Sequence, residues 1–257
     1  MCMVNRQQEL ARLLRTLQLS HTADSVAELA LRAARESLTH EAFLYELVQQ
    51  EVAYREQRRF ARLLRESRLP REKTFAQLDM GAFSPMLLQQ VEQLRSGAFV
   101  EQASNVVAVG KPGTGKSHLL AAIGHILVGQ GQAVYWTSTA TLVQQLLAAK
   151  CDLRLPREMA RLDRFACVIL DDIGYVQHSR DEMEVLFTFL AERYERRSVL
   201  ITTNLVFSEW DRIFHDPMTT MAAIDRVVHH SVILDMMGLD SYRAKEATAH
   251  RAAAAAA

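Results

Sequence analysis

Leu10, Leu13, Leu14 and Leu17 recur at the three-and-four spacing that gathers side chains on one helical face. The spacing returns in SLTHEAFLYELVQQEVAYREQRRFARLLRESRL, where Phe43, Leu44, Leu47, Val48, Phe60, Leu63 and Leu64 fall at similar intervals. Pro70 ends this run, because proline pushes the residue before it away from helical geometry. Apart from Pro70, no Gly or Pro occurs before Gly81. Residues 1–74 are therefore predicted to form a small helical domain.

From Asn105 the pattern changes. Short, continuous, β-branched apolar runs alternate with helical stretches: NVVAV (105–109), AVYW (133–136), CVILD (167–171), SVLITTN (198–204) and SVILD (231–235). Runs without alternation read as strands buried on both faces, as in parallel sheets. With helices between them they predict a doubly wound α/β domain over 105–246. Residues 75–104 hold Phe75, Leu78, Phe83 and Pro85 and read as a linker with a short helix. Residues 247–257 are low-complexity and carry no fold information.

Composition narrows the class. An apolar fraction of 49% supports a core. The formal net charge is zero, so any nucleic-acid surface must be local. Cys2, Cys151 and Cys167 lack metal-ligand or disulfide spacing and read as reduced thiols. The N-terminus is charged within ten residues, and no run of about 18 apolar residues occurs. A cytoplasmic protein with no membrane partner is expected.

The sharpest motif is GKPGTGKS, from Gly110 to Ser117. Gly110, Lys111, Pro112, Gly113, Thr114, Gly115, Lys116 and Ser117 follow a predicted strand, and His118 continues into an apolar helix. Glycines allow positive φ and bring N–H groups close to phosphates. Lys116 can reach the β- and γ-phosphates of ATP, and Ser117 can ligate Mg²⁺. The helix N-terminus adds a positive dipole end.

Three further features follow in order. Asp171 and Asp172 close the run CVILDD; the first suits Mg²⁺ and the second suits orienting the attacking water. Asp172 is one methylene shorter than the Glu often found there, and a helix-capping pair is the alternative. Asn204 tips a buried strand, where an amide could position water or simply close a turn. Arg226, in IDRVVHHSVILD, cannot obviously reach its own phosphate loop; it reads as a finger supplied in trans or as a surface ion pair. His229 and His230 are adjacent and face different directions, and read as structural residues, not ligands. Arg243 is a weaker candidate for phosphate sensing.

The ordered set GKPGTGKS, VILDDIGY, LITTNLVFSEW, DRVVHH and DSYR resembles the IstB-type AAA+ ATPases, transposition helpers of bacterial insertion sequences related to the replicative helicase loaders. The similarity runs from about residue 10 to 246 and includes YREQRRFARLLRESRL. It implies a P-loop ATPase with a five-stranded parallel sheet flanked by helices, no C-terminal lid, and a preceding all-α domain. It implies ATP and Mg²⁺ as cofactors, with Lys116, Ser117, Asp171, Asp172, Asn204 and Arg226 in the roles above. It also implies self-assembly on duplex DNA, remodelling of that DNA and its delivery to a cognate transposase. The absent lid leaves Arg243 without a clear sensing role.

At 100° per residue, Arg55, Arg58, Arg59, Arg62 and Arg65 fall within about 120° of arc. Arg55 to Lys73 holds eight basic and three acidic residues. Such a stripe suits a duplex backbone, with no base-reading pattern. Lys150, Arg154, Arg157, Arg161 and Arg164 form a second basic patch that reads either as the lining of a DNA channel in an assembly or, interleaved as it is with Asp152, Glu158 and Asp163, as local ion pairs. A helicase loader is the alternative reading; a small-molecule kinase would need an acceptor lid that the sequence does not offer.

Overall fold

The computed structural model of the protein describes residues 2–174, 179–210 and 217–242. The chain divides into two units between Arg62 and Leu63, inside a single helix.

The first unit contains α1 (Cys2–Thr16), α2 (Ser20–Glu36) and most of α3 (His40–Ser67). Each connection turns through a left-handed residue, Gln18 at φ 60° and Ser37 at φ 53°. Ser37 closes α2 by donating its N–H to Ala33 O. The buried set includes Thr22, Ala23, Leu29, Leu47 and Glu51. The Glu51 carboxylate accepts from Thr22 N at 2.8 Å, Thr22 Oγ1 at 2.9 Å and Arg55 Nε at 2.8 Å. Leu10, Leu13 and Leu17 have helical spacing, yet all three are exposed.

The second unit is a five-stranded sheet with two helical layers. Its strands are β1 (Asn105–Val109), β2 (Val134–Ser138), β3 (Cys167–Ile173), β4 (Ser198–Thr203) and β5 (Ser231–Asp235). All pairings are parallel, in the order β2-β3-β4-β1-β5. Alternate residues serve opposite cores. Val107, Val109, Val168 and Leu170 face α7 (Thr139–Cys151), α8 (Leu155–Asp163), α9 (Arg180–Arg193) and α10 (Pro217–Val228). Val106, Ala108, Cys167 and Ile169 face α4 (Pro85–Arg95), α5 (Ala98–Glu101) and α6 (Lys116–Gly129). A strand buried on both sides must be apolar throughout, hence NVVAV. α6 is buried around most of its circumference, from Leu119 to Ile123. Each such leucine or isoleucine contributes about 1.5–3 kcal/mol on burial.

Residues 75–104 hold more structure than one short helix. A 3₁₀ turn at Phe75–Gln77 precedes α4 and α5. α4 starts because Ser84 Oγ accepts from Leu87 N at 3.2 Å and Pro85 occupies the first turn.

Two buried polar side chains tie the lower ends of the strands. Arg193 is 3% exposed and donates to Leu162 O, Phe165 O and Ser198 O at 3.0–3.1 Å. Burial pulls its pKa down to about 10, so it stays charged at neutral pH. Asn105 donates from Nδ2 to Val227 O at 3.2 Å and accepts from Val199 N at 2.9 Å. Cys151 and Cys167 are free, and burial pushes the Cys167 thiol up to about 12, which makes it inert. Among the described residues, no helix is long and apolar enough to cross a membrane.

Candidate nucleotide site

The loop after β1 lies at the carboxyl ends of the strands, where open parallel sheets bind ligands. It is pinned at both ends. Gly110 N donates to Thr203 O at 3.1 Å, and Thr114, fully buried, donates from Oγ1 to Lys111 O at 2.9 Å. Gly113 and Gly115 sit at φ +84° and +94°, a region closed to most side chains. Lys111 and Pro112 are exposed at the tip. The Lys116 side chain is only 6% exposed. Its ammonium donates to Gly110 O at 2.7 Å and to Lys111 O at 2.9 Å. A cation held on loop carbonyls is placed to exchange them for phosphate oxygens.

Ser117 and Asp171 meet directly: Ser117 Oγ donates to Asp171 Oδ1 at 2.6 Å. Two hard oxygen donors this close approach the roughly 3 Å that separates neighbouring ligands in an octahedral Mg²⁺ shell. Thr202 Oγ1 donates to the same Asp171 oxygen at 2.7 Å, and Thr139 Oγ1 donates to Asp171 O at 3.2 Å.

Asp172 follows in an unusual backbone position. Leu170 pairs with Ile201 and Ile173 with Thr203, so Asp171 and Asp172 together oppose Thr202. This bulge puts Asp172 at φ 62°, and its N–H donates to Thr202 Oγ1 at 2.8 Å. Its side chain is exposed while Asp171 is half-buried. Thr202 was not singled out from the sequence. The signal was present, since LITTN puts hydroxyls inside a buried strand, and Thr202 is fully buried.

Asn204 follows the residue whose carbonyl holds Gly110, so it stands beside the loop. Its Oδ1 is buried with no hydrogen-bond partner among the described residues. His118 Nε2 lies 2.9 Å from Thr74 O. The segment after β5 lies across the loop. Tyr242 N donates to Gly113 O at 3.0 Å, and its hydroxyl donates to Asp79 O at 2.6 Å. Burial, with the Asp79 charge, raises the Tyr242 pKa. Arg243 lies outside the described residues.

Arg226 is placed elsewhere. Its backbone carbonyl accepts from Asn105 Nδ2 at 3.3 Å, at the opposite end of β1 from the phosphate loop. The five residues of β1 span about 16 Å at ~3.3 Å each, beyond an arginine's reach. The guanidinium stacks over Phe187 of α9, 4.6 Å from the ring centroid.

The basic residues divide. Arg55, Arg58, Arg59, Arg62 and Arg65 are all exposed on α3. Arg55 is nonetheless engaged by Glu51, and Arg58 lies over the Tyr54 ring at 5.7 Å. Lys150 donates to Glu184 at 2.8 Å and lies 3.7 Å from Asp181, both on α9; the Glu184 bond raises its pKa. Arg154 pairs with Asp152. These acids draw Lys150 and Arg154 towards local pairing. Arg154, Arg157, Arg161 and Arg164 line a cavity of about 720 Å³ beside α7 and α8.

The parallel sheet, the phosphate loop after β1 and the carboxylates near the end of β3 define a P-loop ATPase. The chain belongs to the IstB-like ATP binding protein family, matching it over residues 12–250. It is 42% identical over 233 residues to a putative insertion sequence ATP-binding protein of Sinorhizobium fredii, covering 89% of this chain and 78% of that protein. It is 38% identical over 239 residues to the IS21 putative ATP-binding protein of Pseudomonas aeruginosa, covering 93% and 89%. Among solved structures, AMPPCP-bound DnaA from Aquifex aeolicus shares the fold at a TM-score of 0.56 and 16% identity, over 69% of this chain and 54% of that one. DnaI shares it at 0.54 and 18%, over 66% and 95%.

Proposed function

We propose that this chain is an ATP-dependent, DNA-binding helper of transposition that self-assembles on duplex target DNA, remodels it and delivers it to a cognate transposase. The observation that carries this reading is the separation of Arg226 from its own phosphate loop by the length of β1. Arg226 of the same chain stands too far away to serve the site that Lys116, Ser117 and Asp171 form. A neighbouring copy can supply Arg226, so nucleotide state and assembly become one equilibrium.

In that reading the Lys116 ammonium leaves the Gly110 and Lys111 carbonyls for the β- and γ-phosphate oxygens of ATP. Ser117 and Asp171 would hold Mg²⁺, which would supply charge neutralisation across the phosphates. Asp172 and Asn204 orient the attacking water, and the neighbour's Arg226 stabilises charge on the transferring phosphoryl group. Asn204 suits this role because its Oδ1 is buried and unpartnered among the described residues. The insertion-sequence relatives support a transposase as partner. The α3 arginines support contact with a phosphate backbone, without base reading.

The test is duplex-DNA binding with ATP, measured against salt. Binding that needs ATP, ignores sequence and weakens steeply with salt supports the helper reading. Indifference to duplex DNA, with binding to a replicative helicase instead, supports a loader and overturns it.

A further inference from the structure

Away from the nucleotide, Glu195, His229 and His230 each bring one donor atom to within 4.8 Å of the others. The sequence reading had the two histidines facing apart. In the structure their rings lie edge to face, with centroids 4.2 Å apart. His230 Nε2 lies 3.5 Å from Glu195 Oε1. The Tyr194 hydroxyl is 3.2 Å from His229 Nδ1 and also meets the Glu195 carboxylate.

The three groups come from two turns, each closed by backbone hydrogen bonds. His230 O accepts from Asn105 N at 2.8 Å, and the Asn105 side chain binds the end of α10 and the start of β4. The Glu195 turn is closed by Arg196 N and Arg197 N donating to Arg193 O, the residue whose guanidinium is buried beneath the strands. Glu195 itself sits at φ 55°.

An ion pair between Glu195 and His230 accounts for two of the three groups. It gives no reason for a second imidazole against the first. Two neutral imidazoles and a carboxylate form a donor set for zinc-class metals. Ligands of a tetrahedral zinc lie about 3.3 Å apart. All three side chains are exposed and can close that gap by small rotations. The phenol against His229 Nδ1 is the outer partner that orients a ligating ring. We propose that Glu195, His229 and His230 form a surface site for a divalent transition-metal ion of the zinc class, with Tyr194 orienting His229. The remaining coordination positions face solvent.

The test uses the full chain, stripped with a chelator and free of nucleotide, titrated with Zn²⁺ by calorimetry. One ion per chain is expected, with a dissociation constant on the order of micromolar. The double variant H229A/H230A abolishes this binding, and Glu195→Gln or Tyr194→Phe weakens it about tenfold or more. Cys151→Ser and Lys116→Ala leave it unchanged. Melting curves without metal confirm that each variant is folded. Equal Zn²⁺ binding by the wild type and the double-histidine variant, or no binding below about 100 μM, overturns the proposal.

Discussion

Thr202 holds Asp171 from one side and the Asp172 backbone from the other: its hydroxyl donates to Asp171 Oδ1 at 2.7 Å and accepts the Asp172 N–H at 2.8 Å. One buried hydroxyl thus orients the proposed metal carboxylate and fixes the bulge that aims its neighbour. Thr202→Val keeps the shape and removes both bonds. ATP turnover is expected to fall about 10- to 100-fold, with nucleotide affinity nearly unchanged. Thr202→Ser should restore most of it. Steady-state kinetics separating kcat from KM read this; a valine variant with normal kcat contradicts the positioning role.

Lys116 bridges two loop carbonyls and is nearly buried. Removing its charge takes away a charge-assisted contact worth about 1.5–3 kcal/mol. Lys116→Ala should weaken ATP binding about 10- to 100-fold, measured by a fluorescent nucleotide analogue.

Arg226 stacks on Phe187 and stands a strand's length from its own loop. Arg226→Ala should bind ATP normally and hydrolyse almost none. Mixed with Lys116→Ala, which is also inactive, it should regain activity. Normal turnover by Arg226→Ala alone, or no recovery on mixing, sinks the trans assignment.

Glu51 gives the first unit a pH dependence. Burial opposes its charge, but hydrogen bonds from Arg55 and Thr22 outweigh this and hold its pKa below the ordinary 4.5. Its stabilisation is therefore complete above pH 4.5 and is lost as pH falls through the lowered value. The protection factor of the Thr22 amide against hydrogen exchange should fall in that acid window. Glu51→Gln should remove the acid dependence and destabilise the unit by about 1–3 kcal/mol.

Legibility in the sequence followed the range of the interaction. The strand NVVAV appears at its observed bounds because two-sided burial leaves a continuous apolar run; SVILD also appears at its bounds, although it lies at the sheet edge with only Leu234 buried. The phosphate loop was equally plain, since its glycines answer to local backbone needs. The bulge at Asp172 was not legible: it depends on Thr202, thirty residues away on another strand. The pairing of Lys150 with Glu184, and of Glu195 with two histidines, likewise arises from packing between elements distant in sequence. Helical spacing found α1 but not the exposure of Leu10, Leu13 and Leu17, because periodicity marks a face without saying what covers it.

The most direct measurement is the size of the purified protein, by light scattering, with ATP, ADP or no nucleotide, each with and without duplex DNA. The account predicts large assemblies only when ATP and duplex are both present, lost at high salt and absent for Lys116→Ala. A particle of one size in all six conditions would contradict it.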